Sequence, residues 1–310
     1  MDILTQLFGA LPGSISQGLI WGIMAIGVYF TYRILDVADL TVDGSFATGG
    51  AVAVVLILNG YNLWVAMLGA FIAGLLAGAI TGLLHTLMGI PPILAGILTQ
   101  LSLYSINLKI MGKSNQSVNV NQTDLLVSLR WVKEFAIHNP LITVGIVLVI
   151  LIAVLYWFFG TEMGCAIRAT GANLNMSRAQ GINTNLNKVL GIMLSNGLVA
   201  FSGAFLAQYQ GFADIKMGQG AIVIGLAAVI IGKALFGKIF KNFALKLLSV
   251  VLGSVIYYIV VQAVITMGLD ANLMKLFSAA IVAIFLAIPF WKRLYAEKHM
   301  RKAKGGKANA

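Results

Sequence analysis

Charge is what this sequence has least of. Only 10% of its 310 residues are Asp, Glu, Lys or Arg, against 59% hydrophobic, and the mean hydropathy is +0.93. A soluble domain carries roughly 25% charged residues, so this chain cannot clothe a water-facing surface. A lipid bilayer is its natural solvent. Cysteine is nearly absent: Cys165 stands alone. That excludes an internal disulfide framework or a cysteine metal cluster and leaves Cys165 as a small apolar filler. His85, His138 and His299 are far apart and lack companions at metal-ligand spacing, so no metal site is expected. No Ser/His/Asp set can be assembled either. No apolar run holds an acidic pair or an Asp/Glu/His chain of the kind that relays protons. The stretch "GKALFGKI" at 232–239 matches G-x-x-x-x-G-K, but Ile239 stands where a phosphate loop needs Ser or Thr, and an apolar helix precedes it. The chain therefore brings no energy source of its own. Its N-terminal "MDILTQLFGALPGS" has no basic residue and no small-residue cleavage site, so the first apolar run is expected to stay as a helix.

What is there is a series of apolar runs. A hydrocarbon core ~30 Å thick needs ~20 apolar residues in a helix. Nine segments qualify, near 14–35, 44–60, 62–88, 92–111, 140–160, 187–211, 218–236, 243–268 and 272–291. The second and seventh are short and glycine-rich, and either suits a half-helix covered by protein. The expectation is an all-α polytopic transmembrane bundle of about nine segments, with eight to ten spans. It forms one membrane domain over 1–291, followed by a basic tail over 292–310. The net charge of +11 would suggest nucleic acid in a soluble protein. In a membrane chain it sets orientation instead. With the C-terminus cytoplasmic and the N-terminus outside, 15 of the 21 Lys and Arg residues fall on the cytoplasmic side. No nucleic-acid partner is expected.

The one long external segment, 112–139, contains an amphipathic stretch from Asp124 to Ile137. Leu125, Leu129, Val132 and Ala136 share one face, which suits an interfacial helix or a contact surface for an external partner. Gly74, Gly78 and Gly82 recur every fourth residue, the spacing that lets helix backbones approach closely in lipid, within the chain or across a dimer. Two stripes of uncharged polar residues lie within spans. Gln100, Tyr104 and Asn107 share one face of the fourth segment, and Ser254, Tyr258 and Gln262 step by four along the eighth. Ser195 and Asn196 lie in the sixth. These residues suit either a translocation path or interhelical hydrogen bonds. Asp36, Asp39 and Asp43 cluster between the first two segments, where Asp39 or Thr41 suits an N-cap of the second helix and ion or solute handling is the other reading.

The longest polar interruption is 161–187. It reads as two short helices: Thr161 to Thr170, broken by Gly171, then a second one capped by Asn173 and ended by Gly181. Arg168 and Arg178 are its charged handles. Such an element suits docking of a soluble cytoplasmic partner, or a plain loop lying on the bilayer.

The stretch "EMGCAIRATGANLNMSRAQGINTNLNKVLGIMLSNGLVAFSGAFLAQYQGFADIKMGQGAIVIGLAAVIIG" resembles the central region of permease subunits of bacterial ABC importers, in the branch that includes branched-chain amino acid and ribose permeases. Glu162, Gly164, Arg168, Ala169, Gly171, Asn173, Arg178, Gly181 and Ile182 stand at matching positions. The similarity covers roughly 14–290. "DLTVDGSFATGGA" resembles a sub-branch linked to aromatic amino acids such as tryptophan and tyrosine, and departs from the Asn-Phe-Ala-His-Gly of branched-chain permeases. The resemblance implies a multi-pass protein of the bacterial plasma membrane that works as a homodimer. It implies an extracytoplasmic solute-binding protein and separate ABC ATPase subunits, which bind ATP and Mg where this chain binds no cofactor. It also implies that 161–187 is the coupling-helix region, carrying ATPase closure through Glu162, Gly164, Arg168, Ala169, Gly171, Asn173, Arg178 and Gly181. The solute would be an amino acid; sugars or nucleosides, or a channel or secondary transporter without an ATPase, are the other readings.

Overall fold

The computed structural model describes residues 3–118, 125–133 and 139–267, with scattered positions between 276 and 290. The ninth apolar segment lies largely outside these residues, and the tail 292–310 wholly so. The elements are α1 (Ile3–Tyr29), continued by a π-helical turn (Phe30–Leu35); α2 (Val42–Leu58); α3 (Leu63–Thr86); α4 (Pro92–Met111); strand β1 (Asn115–Ser117); a 3-10 turn (Leu129–Lys133); α5 (Pro140–Phe158); α6 (Glu162–Ala172); α7 (Leu174–Ala179); α8 (Thr184–Gln210); strand β2 (Phe212–Asp214); α9 (Ala221–Phe236); and α10 (Phe243–Thr266). Their boundaries follow local chemistry. Asn62 and Asn139 cap α3 and α5 by accepting the N–H of Trp64 and Leu141, each at 2.9 Å. Pro92 and Pro140 sit at the first positions of α4 and α5, where no N–H is needed. Gly112 and Gly211 end α4 and α8 with φ of +70° and +79°.

Among the described residues, six helices are long and apolar enough to cross a bilayer: α1 with its π turn, α3, α4, α5, α8 and α10. The short α2 and α9 correspond to the two segments singled out as short. The amphipathic helix expected over 124–137 is not formed in the described part. A single 3-10 turn stands there, with Leu125 and Val132 buried and Leu129 exposed. Leu126 donates its N–H to the Gln208 side chain at 3.1 Å, so the bundle end fixes this segment.

The core is the crossing of α1 and α8, each 72% buried along its most apolar window, whereas α5 is 17% buried. Hydroxyls spaced by seven residues join the two central helices. Ser195 donates to the Gly27 carbonyl and Ser202 to that of Ile20, both at 2.7 Å, and Tyr209 to that of Gly13 at 3.3 Å. Ascending one helix descends the other, so they run antiparallel. Lipid tails are as apolar as the side chains, so association depends on close packing rather than on escape from water. Gly74, Gly78 and Gly82 accordingly press α3 against the α8 backbone at Asn196, Ile192 and Val189. Gly18 and Gly22 of α1 do the same against Val255 and Val251 of α10.

These contacts reveal two related halves. α1, a turn, short α2 and α3 form one unit; α8, a turn, short α9 and α10 form the other. Each unit lends its third helix to the long helix of the other, α3 to α8 and α10 to α1. Because α1 and α8 are antiparallel, the two units are inverted. Both turns carry Ala-Asp followed by a branched aliphatic residue, Ala38-Asp39-Leu40 and Ala213-Asp214-Ile215. β1, which follows α4, pairs antiparallel with β2, Asn115 opposite Asp214, and ties the end of α4 to the turn of the second unit.

Candidate functional site

The first short helix starts deep inside the bundle. Ser45, in the first turn of α2, donates to Asn196 at 2.7 Å, and Asn196 lies halfway along α8. Asn196 in turn donates to the Asp39 carboxylate at 2.6 Å, and Asp39 accepts the Thr41 N–H at 2.9 Å. The Thr41 and Thr81 hydroxyls are 2.7 Å apart, and Thr81 donates to Thr99 at 2.9 Å. This buried network fixes the start of α2 against α3, α4 and α8. Thr41 occupies the N-cap of α2 but makes no side-chain bond to its first turn. Asp39 holds the turn instead. Capping is done by Asp43, and for a different helix: its carboxylate accepts the N–H groups of Gly220 and Ile222, each at 3.0 Å, at the start of α9. The two short helices thus meet N-terminus to N-terminus inside the bundle, with one carboxylate at the junction. Broken helices whose positive ends face a shared point are a recurring way to build a solute site within a membrane.

Beside this junction lies a cavity of about 140 Å³. Gln100, Tyr104 and Asn107 of α4 line one side of it, and Asp43 and Gln219 another. The α4 stripe is therefore brought together on one cavity. Asn107 is 1% exposed, and neither atom of its carboxamide has a hydrogen-bond partner among the described residues. A buried amide left unpaired costs about 1–3 kcal/mol, a cost a solute or water entering the cavity would relieve. The other polar residues singled out lie elsewhere. Asn196 is enclosed in the network above. Ser254 is fully buried and donates to the carbonyls of Gly18 and Val251. Tyr258 is 8% exposed and packs on Trp21 and Tyr257. Gln262 is half-buried further along α10. Asp43 stood in the cluster with Asp36 and Asp39, but its partner helix did not show in the sequence, and Gln219 was missed there. The usable signal was a pair of short, glycine-rich segments in corresponding positions of two halves.

At the opposite level of the bundle, α6 and α7 form a hard corner. Thr161 caps α6 through the Gly164 N–H at 3.4 Å, Asn173 caps α7 through the Met176 N–H at 3.0 Å, and Asn183 caps α8 through the Leu186 N–H at 3.1 Å. The break between the two short helices falls at Asn173, in extended backbone, and not at Gly171 as the sequence reading had it. Gly171 belongs to the last turn of α6. It is small because the Ile34 carbonyl of the π turn sits where a side chain would go. Gly164 meets the backbone of Phe158 and Phe159 in the same way. Gly181 closes the corner with φ +76°. Arg178 donates to the Thr184 hydroxyl at 3.1 Å, and the Arg168 guanidinium lies 5.7 Å from the Phe243 ring centre. Glu162 is exposed and Ala169 half-buried. Exposed Met163 and Met176 leave apolar surface at the corner. The phosphate-loop look-alike is the last turn of α9 and the turn after it: its Gly232 lies in α9, against the Ser249 backbone, and the helix ends at Phe236.

These features define a polytopic membrane protein with a broken-helix junction inside and a rigid helical corner at one end. A family model described as "Branched-chain amino acid transport system / permease component" matches residues 11–288. The chain belongs to that family; it is the permease component of an ABC-type transport system and a multi-pass protein of the bacterial inner membrane. The tyrosine transport system permease protein of Clostridioides difficile (strain R20291) is 38% identical over 272 residues, 88% of each chain. The fructose import permease protein FruF of Bifidobacterium longum is 27% identical over 276 residues, 88% of this chain and 75% of that one. The ribose import permease protein RbsC of Escherichia coli (strain K12) is 27% identical over 232 residues, 74% of this chain and 69% of that one.

Proposed function

We propose that this chain is the membrane subunit of an importer for an amino acid with an aromatic side chain. The observation that carries the reading is the 38% identity, over 88% of both chains, to a permease named for tyrosine transport. The cavity beside the junction suits such a solute in being polar without being charged apart from Asp43. A weakly polar path lets solute leave, while a separate extracytoplasmic binding protein supplies selectivity. Separate ATPase subunits bind ATP and Mg and dock at 161–187. The glycine contact between Gly171 and Ile34 supports this reading, because it couples α6 rigidly to the end of α1. Any push on the corner then reaches the central helix pair and the start of α2. Two copies form the pathway, with the N-terminus outside, the basic tail 292–310 cytoplasmic, and the ninth segment 272–291 as a further span. A sugar is the second reading, favoured by the fructose and ribose permeases at 27% identity.

Proteoliposomes holding this chain, its ATPase and its binding protein decide between them. ATP-dependent uptake of tyrosine or tryptophan, with no uptake of ribose or fructose, is the expected result; the reverse overturns the amino-acid reading. Arg168→Glu is expected to abolish uptake while the subunit still inserts. Full uptake by that variant removes the corner from coupling.

A further inference from the structure

Neither site above uses the cavity where α5 ends and α10 begins, although it shares Thr161 and Arg168 with the corner. The cavity measures about 630 Å³. Arg168, Lys241 and Lys246 line it, and among the described residues no carboxylate does. Two helices also begin on it. Thr161 and Asn242, the N-cap residues of α6 and α10, both belong to its wall. A helix N-terminus carries about half a positive charge on its free N–H groups. Asn242 makes no side-chain bond to the first turn of α10, so that turn is left without a side-chain acceptor. The one acid in the first turn of α6, Glu162, is exposed and stands outside the wall. Three cations and two helix N-termini thus converge on one cavity, an arrangement that calls for a multiply acceptor-bearing anion such as a phosphate group.

The remaining wall says where that phosphate comes from. Tyr156 and Trp157 are 50% and 71% exposed at the end of α5. α5 is the most apolar span, with hydropathy 2.8, and the least covered, at 17%. Aromatic residues at the end of such a helix mark the level of the lipid headgroups. The cavity therefore opens sideways toward lipid at headgroup depth. Basic pockets between membrane helices at this level suit anionic headgroups. We propose that this cavity binds the headgroup of an anionic phospholipid from the leaflet on the α6 side. The phosphate sits between Lys241, Lys246, Arg168 and the starts of α6 and α10, and the acyl chains run along α5. The inference rests only on the bilayer placement and not on the choice of solute.

The test titrates bromine-labelled phosphatidylglycerol or bromine-labelled phosphatidylcholine into the detergent-solubilised full chain and reads quenching of tryptophan fluorescence. Phosphatidylglycerol is expected to quench at a lipid fraction lower by roughly a hundredfold, the factor that about 1 kcal/mol for each of three cations gives. The preference is expected to vanish in Lys241→Gln/Lys246→Gln and to persist in Lys241→Arg/Lys246→Arg. Equal quenching by the two lipids, or a preference that survives the glutamine pair, overturns the proposal. Trp157→Phe provides a check that does not depend on the lysine variants folding. It removes the reporter in the cavity, so a phosphatidylglycerol preference undiminished in that variant places the lipid elsewhere and overturns the site. Inorganic phosphate added at constant ionic strength separates the sources. If phosphate at a concentration below that of the lipid erases the preference, the cavity takes soluble phosphate more tightly than the headgroup and the lipid assignment fails; an unchanged preference supports the lipid.

Discussion

The turn after α1 and the turn after α8 are built alike and used differently. In each, an aspartate accepts the N–H two residues on: Thr41 to Asp39 at 2.9 Å, Lys216 to Asp214 at 2.7 Å. The first turn goes inward. Asp39 is 3% exposed and holds Asn196, and through Thr41 it reaches a chain of buried hydroxyls. The second stays at the rim. Asp214 is half-buried, ends a strand, and meets Asn115 at 3.4 Å. One local device is thus a lock in one half and a loop fastening in the other. What differs is the surroundings, since hydrogen bonds cut off from water gain strength and leave a larger penalty when broken.

The largest expected effect tests that difference directly. Asp39→Ala removes the acceptor of two buried bonds: the Thr41 N–H is left unpaired, and the Asn196 amide keeps only its bond to the Ile192 carbonyl at 3.0 Å; the expected cost is about 3 kcal/mol. Asp214→Ala is expected to cost no more than about 0.5 kcal/mol, as for other substitutions near the surface. Thermal unfolding of the detergent-solubilised variants measures both, and equal shifts would dissolve the contrast. Next comes the carboxylate that joins the halves. Asp43→Ala removes the acceptor for two N–H groups of α9, a loss of about 2 kcal/mol. Asp43→Asn keeps an acceptor and should recover half or more of it; a stability equal to that of the alanine variant would show that the cap is not what counts.

Asn107→Leu sharpens the separation between fold and pathway. Replacing an unpaired buried amide by an apolar group of similar size is expected to raise stability by about 1 kcal/mol while lowering uptake. Lowered stability would mean that the amide has a structural partner. The smallest effect belongs to the ladder between the central helices. Ser202→Ala and Ser195→Ala should each cost about 0.6 kcal/mol, the usual worth of one interhelical bond in lipid. A cost several times larger would place the connection between the halves in these hydroxyls rather than in the glycine contacts.

Much of the architecture was legible along the chain. The apolar runs fell where α1 to α5 and α8 to α10 stand, because a helix in lipid satisfies its own backbone. The glycine ladder of α3 was also legible, since spacing by four marks a face whatever the partner. The corner was read one step out of place. Gly171 looked like a breaker because glycine weakens helices, whereas here it is a contact point that a neighbouring carbonyl requires to be bare. The α10 stripe of Ser254, Tyr258 and Gln262 shows the same limit. Periodicity puts residues on one face but does not say whether that face meets a cavity or another helix.

By itself, then, the sequence determined the solvent, the helical class, the segments that cross or half-cross, and the polar corner. Those properties depend on composition and on periods of a few residues. The tertiary structure decided what no local pattern carries: that two inverted halves exchange their third helices, that Asp43 caps a helix more than 170 residues away with hydrogen bonds at |i−j| of 177 and 179, and that the α4 stripe faces the junction while the α10 stripe largely does not. The reason is physical. Inside a bilayer a helix satisfies its own backbone, but a polar side chain must find a partner on another helix or face a cavity, and which of these it meets is settled only when the helices pack.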